Sequence, residues 1–152
     1  MLLDKLTLLS DDQDLSQIAG TYYSDILPLN TAAITTSADA PSGVGGDPAY
    51  GNPVLVVGQV TEGFDSAGAA TLVVSVETDT VENFASATTL YTSATYDATD
   101  AGAELKAGTI VIPHFLLYGV ENYLRIKYVV GTATTTAGAI TAGLTMGHQT
   151  NK

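Results

Sequence analysis

Two valine-rich segments, VLVVGQV from Val54 to Val60 and TLVVSVE from Thr71 to Glu77, constrain this chain more than anything else in it. In the second, Leu72, Val74 and Val76 alternate with Thr71, Val73, Ser75 and Glu77. A period of two suits a β-strand with one buried face, because successive side chains point to opposite sides of a sheet. The joining segment EGFDSAGA holds two glycines with Asp65 and Ser66, which is turn chemistry. The pair therefore predicts a β-hairpin or a β-corner in an all-β domain.

The same grammar continues along the chain. Strands are expected at Tyr22–Leu27, Val54–Thr61, Ala70–Thr78, Leu90–Ala94, Leu105–Ile112, Asn122–Val130 and Ile140–Met146. Pro28 ends the first and Pro113 the fifth, while Gly108 suggests a bulge. In the sixth, Leu124, Ile126, Tyr128 and Val130 share one face, and Tyr123, Arg125, Lys127 and Val129 the other. In the last, Ile140, Ala142, Leu144 and Met146 face inward. DTVENFASATT, residues 79–89, reads as a turn or one helical turn burying Phe84, Asp97–Gly102 as an acidic turn, and His114–Gly119 as a bridge between strands. Residues 31–52, rich in Thr, Ser, Ala, Gly and Pro, read as a long surface loop of the kind that tends to be functional or mobile. Met1–Gly20 is open between two readings. Ser10 with Gln13 matches a capping box ahead of a short helix with Leu15 and Ile18 on one face, and an irregular acidic loop fits nearly as well. Seven or eight short strands at regular spacing favour a sandwich or barrel, and the length suits one domain over residues 1–152.

Charge narrows the partners. The formal net charge is −11, and no Lys or Arg occurs between Leu6 and Leu105. Nucleic acid and anionic membranes both require clustered cations, so neither is expected as a partner. Asp4 precedes Lys5 and no long apolar run follows, so neither a signal peptide nor a membrane span is expected at the start. There is no cysteine, which removes disulfides and thiolate metal sites.

Little reactive chemistry is visible. Asp11, Asp12 and Asp14 form the densest carboxylate cluster, yet they lack the spacing of a calcium loop and suit a solvated helix start. His114 and His148 lie far apart without zinc-ligand spacing around them. No Gly-x-Ser-x-Gly elbow and no phosphate loop is present. No catalytic, metal or cofactor-binding residue is therefore assigned, and no enzyme is expected. Arg125 and Lys127 stand out because they share a strand face with Tyr123 in a chain nearly free of cations. They read either as a cross-strand ion pair with an acidic neighbour or as a contact patch, since Tyr and Arg are enriched where proteins meet. Tyr22 and Tyr23 are adjacent, so one of them must face outward. Tyr22, Tyr23, Tyr123, Arg125 and Lys127 are the candidate interface residues.

Several segments together resemble the jelly-roll capsid cement, or decoration, proteins of short-tailed bacteriophages. They are Met1-Leu2-Leu3-Asp4-Lys5 with Ser10 and Gln13, Gly51-Asn52-Pro53-Val54-Leu55-Val56-Val57, and Phe64 with Ala67-Gly68-Ala69-Ala70-Thr71-Leu72. Tyr123-Leu124-Arg125-Ile126-Lys127-Tyr128 and Thr136-Ala137-Gly138-Ala139-Ile140-Thr141-Ala142-Gly143-Leu144 complete the set. Thr31–Tyr50 is longer than the family's usual segment, and Asn122 stands where a basic residue is more typical. The resemblance implies an antiparallel β-sandwich of jelly-roll type with about eight strands. It implies a structural virion protein on the outer capsid surface, made in the host bacterial cytoplasm, that bridges major capsid protein subunits and holds the shell against the pressure of packaged DNA. Self-association is implied too, with a homodimer favoured and a trimer as the alternative. The competing reading is a carbohydrate- or receptor-binding β-sandwich module of a phage or bacterial surface protein, against which the lack of Trp counts.

Overall fold

The structure is a computed structural model that describes residues 7–29, 54–99, 104–117 and 119–146. The strands are β1 (Leu8–Asp14), β2 (Gly20–Tyr23), β3 (Leu27–Pro28), β4 (Val54–Asp65), β5 (Thr71–Asp79), β6 (Thr88–Thr92), β7 (Tyr96–Asp97), β8 (Ile110–Leu116), β9 (Tyr123–Gly131) and β10 (Ala137–Met146). One sheet has the order β1-β10-β4-β8 and the other β2-β9-β5-β6, with β3 also on β9 and β7 also on β5. All pairings are antiparallel.

β2 and β3 lie along the same partner, as do β6 and β7, so each pair is one strand interrupted by a break. Eight strands remain, and they pair in a nested series. The first pairs with the last, β2/β3 with β9, β4 with β8, and β5 with β6/β7. This is a long hairpin rolled so that β10 also meets β4 and β9 also meets β5, which makes the domain a jelly-roll sandwich as expected.

The two breaks are built alike. The Ser24 amide donates to the Ile126 carbonyl, the Ile126 amide donates to Ser24 Oγ, and that hydroxyl donates to the Asp25 carbonyl. The Ser93 amide donates to the Val74 carbonyl, the Val74 amide donates to Ser93 Oγ, and that hydroxyl donates to the Ala94 carbonyl. In each case a serine hydroxyl stands in for a strand carbonyl, so the edge strand leaves the ladder without orphaning its neighbour's amide.

The core lies between the sheets. Leu124, Ile126, Tyr128 and Val130 are buried, and so are Leu72, Val74 and Val76, matching the inner faces read from the alternation. Ile140, Ala142 and Leu144 are buried on β10. Each Leu, Ile or Val taken from water contributes about 2 kcal/mol. Two glycines meet steric demands. Gly138 has φ +136, and a Cβ there would lie 2.5 Å from the Phe64 ring. At Gly143 a Cβ would lie 2.7 Å from the Thr7 carbonyl oxygen, blocking the approach of the chain leading into β1.

Of the two readings of the segments around Val54–Val60 and Thr71–Glu77, the corner holds, because β4 and β5 lie in different sheets and the turn between them crosses the sandwich. Three local expectations change. The short helix proposed from Ser10 and Gln13 is strand β1 instead, held along β10. The expected strand at Leu105–Ile112 begins only at Ile110, because residues 104–108 turn, with Gly108 at φ +95 in the turn rather than in a strand bulge. His114 consequently lies inside β8 rather than in a bridge after it. Phe84 is buried as expected. The loop at 31–52, the Met146 side chain, His148 and the rest of the terminal tail lie outside the described residues.

The Ser10–Gln13 spacing has a tertiary cause. β1 carries a bulge, with Ser10 opposite Ala142 and Gln13 opposite Ile140, and Asp12 takes φ 50 within it. The extra residue brings Ser10 and Gln13 to the same side. Ser10 Oγ gives its one hydrogen to Gln13 Oε1 at 2.7 Å, so the buried Tyr128 phenol is the donor in its 2.8 Å contact with Ser10. Gln13 Nε2 in turn donates to the Tyr23 carbonyl at 3.0 Å. Burial pushes the Tyr128 phenol well above its ordinary pKa, with its hydrogen-bonded contact with Ser10 opposing the shift. Tyr128→Phe should cost about 1 kcal/mol, whereas Ser10→Ala should cost about 2 kcal/mol because the phenol is then buried without an acceptor. Urea denaturation of both variants checks this, and the reverse order would contradict the assigned donor.

Candidate functional site

The outer face of the β2-β9-β5-β6 sheet gathers the candidate residues. Regular alternation along β9 sends Tyr123, Arg125 and Lys127 to this face, where all three are half-buried. Across the ladder Glu77 sits opposite Arg125, Ser75 opposite Lys127, and Asp79 opposite Tyr123. Glu77 is the centre. Arg125 Nε and Nη2 donate to its Oε2 at 3.0 and 2.7 Å, and Lys127 Nζ donates to its Oε1 at 3.1 Å. The Glu77 side chain is only 4% exposed, against 14% for Arg125 and 33% for Lys127. The ion-pair reading of these two cations therefore holds, with Glu77 as the acidic neighbour.

Aromatic rings enclose the guanidinium. Arg125 Cζ lies 3.9 Å from the centroid of Tyr23 and 4.0 Å from that of Phe84, close enough for cation–π attraction on both faces. Tyr23 comes from the outward side of β2. Phe84 arrives from the loop between β5 and β6 with φ 51. That loop is organised by Asp79, which is buried at the end of β5. Asp79 Oδ1 accepts from the Val81 amide and the Thr80 hydroxyl, and Oδ2 accepts from the Ser86 amide. Desolvation raises the pKa of Asp79, but these hydrogen bonds together outweigh it and leave the carboxyl below its ordinary value.

The five candidate residues do not all meet. Tyr23, Arg125 and Lys127 form one cluster with Glu77 and Phe84. Tyr22 lies opposite Tyr128, packs against the core, and donates its hydroxyl to the Ile18 carbonyl at 2.8 Å. It belongs to the inner face. Tyr123 shares the outer face but stands at the end of β9, between Asp79 and Pro28. Sequence reading missed Glu77 and Phe84 as members. Glu77 was detectable as an acid on the same alternating face of β5 as Ser75, but the register that brings it to Arg125 was not.

The acidic candidates near the start are used locally. Asp12 accepts the Thr61 hydroxyl, and Asp14 accepts the amide and hydroxyl of Ser16. No group of three His, Cys, Asp or Glu among the described residues is placed to hold a metal ion. His114 takes φ 37 on the edge strand β8 and is exposed. A shallow cleft at one end of the sandwich is lined by Asp65, Ser66, Thr71, Tyr96, Asp97 and Glu104. Its carboxylates hold turns: Asp65 accepts from the Ser66 amide, Asp97 from the Thr99 amide, and Glu104 from the Asp97 amide.

Two outcomes test this geometry. Arg125→Ala leaves the Glu77 carboxylate buried with one partner, and should lower unfolding free energy by about 3 kcal/mol in chemical denaturation. Asp79 adds a pH term. Its folded pKa lies below the ordinary 3.8, so its stabilisation is complete above that value and is lost as pH falls through the lowered one. Asp14 and Asp97, lowered chiefly by side-chain hydrogen bonds from Ser16 and Thr99, act in the same direction. Acid titration of the denaturation midpoint should therefore show a shallower fall for Asp79→Asn than for the wild type, without abolishing it.

No curated protein matches this chain. A family model described as Bbp16 matches residues 24–144, from the first strand break to the body of β10, and so takes in Glu77, Phe84, Arg125 and Lys127. Because that match covers most of its length, the chain belongs to the Bbp16 family.

Proposed function

We propose that this protein is a capsid cement protein, a folded block that seats on the outside of a bacteriophage head and bridges major capsid protein subunits. The observation that carries the reading is the outer face of the larger sheet. There a buried carboxylate locks two cations and two aromatic rings into one rigid cluster, with Tyr23, Ile26 and Val81 exposed. Side chains already ordered before docking lose little entropy on binding, which suits a block whose task is mechanical. The jelly-roll frame is the fold that the sequence resemblance to cement proteins implies, and fold alone does not assign a role. Many such contacts repeated over a shell convert modest affinities into firm attachment. The net charge of −11 suits an outer surface that must not adhere to released DNA. Self-association, as a dimer in preference to a trimer, belongs to the same proposal.

The cleft beside Tyr96 favours the second reading, a carbohydrate-binding module, because it presents hydroxyls and carboxylates next to an aromatic ring. One experiment separates the two. Shells of the virus prepared without this protein are mixed with the purified chain, pelleted, and heated. Cement activity predicts saturable co-sedimentation and a higher temperature of DNA release. Retention of the chain in the supernatant, together with binding on a glycan array, would replace it with the carbohydrate reading.

A further inference from the structure

The Arg125 guanidinium is closed on three sides. Tyr23 and Phe84 cover its two faces, and Glu77 Oε2 takes the edge formed by Nε and Nη2. The remaining edge is the end, made by Nη1 and the second hydrogen of Nη2. Among the described residues nothing accepts from Nη1, and no buried side-chain nitrogen or oxygen lacks a partner, so Nη1 reaches solvent. An arginine fixed in this way presents a preset fork, the geometry that binds a carboxylate through two parallel hydrogen bonds.

The surroundings define what can approach. Lys127 stands two residues along the same face and is one-third exposed. Glu77, Arg125 and Lys127 together carry one net positive charge, with the carboxylates of Asp25, in the bulge opposite Arg125, and of Asp79, held in its loop, close by. The rim is apolar. Ser24 pairs with Ile126 and Leu27 with Leu124, so Asp25 and Ile26 form a bulge opposite Arg125, and Ile26 is exposed there. Val81 is exposed in the loop that carries Phe84, whose amide donates to the Val81 carbonyl at 3.1 Å. Tyr23 completes the rim at 45% exposed. A rigid arginine surrounded by apolar side chains that exclude water has the make-up of an interface hot spot.

We propose that the free end of Arg125, with the Lys127 ammonium beside it, seats an Asp or Glu carboxylate presented by an apolar patch on the partner protein. The inference rests on the reading that this chain docks on another protein, and names the chemistry of the contact. A carboxylate fits because it matches the fork in geometry and meets the Lys127 ammonium beside it, while Tyr23, Ile26 and Val81 exclude water around the pair.

The test has two arms. In the first, acetate is titrated into the intact protein while the side-chain nitrogen resonances of Arg125 are followed by NMR. Saturable shifts, weakened in Lys127→Gln, support the seat, and unchanged Arg125 resonances overturn it whatever the shell does. In the second, affinity for shells lacking the protein is measured for Arg125→Lys, which keeps the charge near Glu77 but loses the fork, and for Lys127→Gln. Each should weaken binding by about tenfold, with Leu116→Ser on the far sheet as a control that binds normally. Thermal melting shows that the variants are folded. Folded variants that bind shells as the wild type does would overturn the proposal. So would a change in oligomeric state without a change in shell binding, because the occupant would then be a second copy of the chain. Saturable acetate shifts without wild-type shell binding would leave the carboxylate seat standing and remove the capsid reading instead.

Discussion

The ladder between β5 and β9 runs without a register shift from Thr71 opposite Gly131 to Asp79 opposite Tyr123. Much of the rest depends on that regularity. A strand's side chains alternate strictly, so one register places Leu72, Val74, Val76, Leu124, Ile126, Tyr128 and Val130 in the core and delivers Glu77 to Arg125 on the opposite face. A slip of one residue would drive Arg125 and Lys127 inward and push Ile126 and Tyr128 into water. The ion pair and the core are thus two faces of one constraint.

The other pairings bend around this ladder. β1, β4, β6 and β10 all carry register shifts, and the edges of the larger sheet break at Ser24 and Ser93. The serine device lets the edge leave the ladder while its neighbour's amide stays bonded. At the first break it has a second effect. The bulge it allows sends the Asp25 amide across to the Leu9 carbonyl of β1, so the two sheets are stitched together along that side. Tyr128, Ser10 and Gln13 add a side-chain link between the same two sheets, from β1 to β9 and β2. Loose, unpaired edges invite pairing with other chains, and tying the edges together limits that.

The outer cluster is a layered object. Asp79 orders the loop, the loop sets Phe84, and Phe84 with Tyr23 clamps Arg125 over Glu77. The deepest supports, Glu77, Asp79 and Phe84, are buried, while Tyr23 and the Val81 loop both support the cluster and stand at the surface. This separates rigidity, supplied by buried polar groups, from contact, supplied by Tyr23, Ile26, Val81 and the outward edge of Arg125.

Alternation made the strands legible in Thr71–Glu77 and Asn122–Val130, including which residues of β9 face the core, because the period of two is local and acts on every residue. Glycine and acidic residues marked the turn after β4, and the isolated Arg125 and Lys127 marked the outer face. Three features were not legible. The Ser10–Gln13 spacing resembles a helix start, and only its partners on β9 and β10 make it a bulged strand. The turn after β4 reads equally as a hairpin or a corner, since local residues say that the chain turns and not which sheet it enters. Tyr22 and Tyr23 are equivalent in sequence, and the ladder with β9 decides that Tyr22 faces the core and Tyr23 covers Arg125. The amino-acid sequence by itself determined the strands and the faces they bury, because those follow from side-chain spacing along one chain. The tertiary structure decided which strands are neighbours, and therefore that Glu77, Phe84 and Tyr23 meet at Arg125, because that depends on register between segments about fifty residues apart in the β5–β9 ladder.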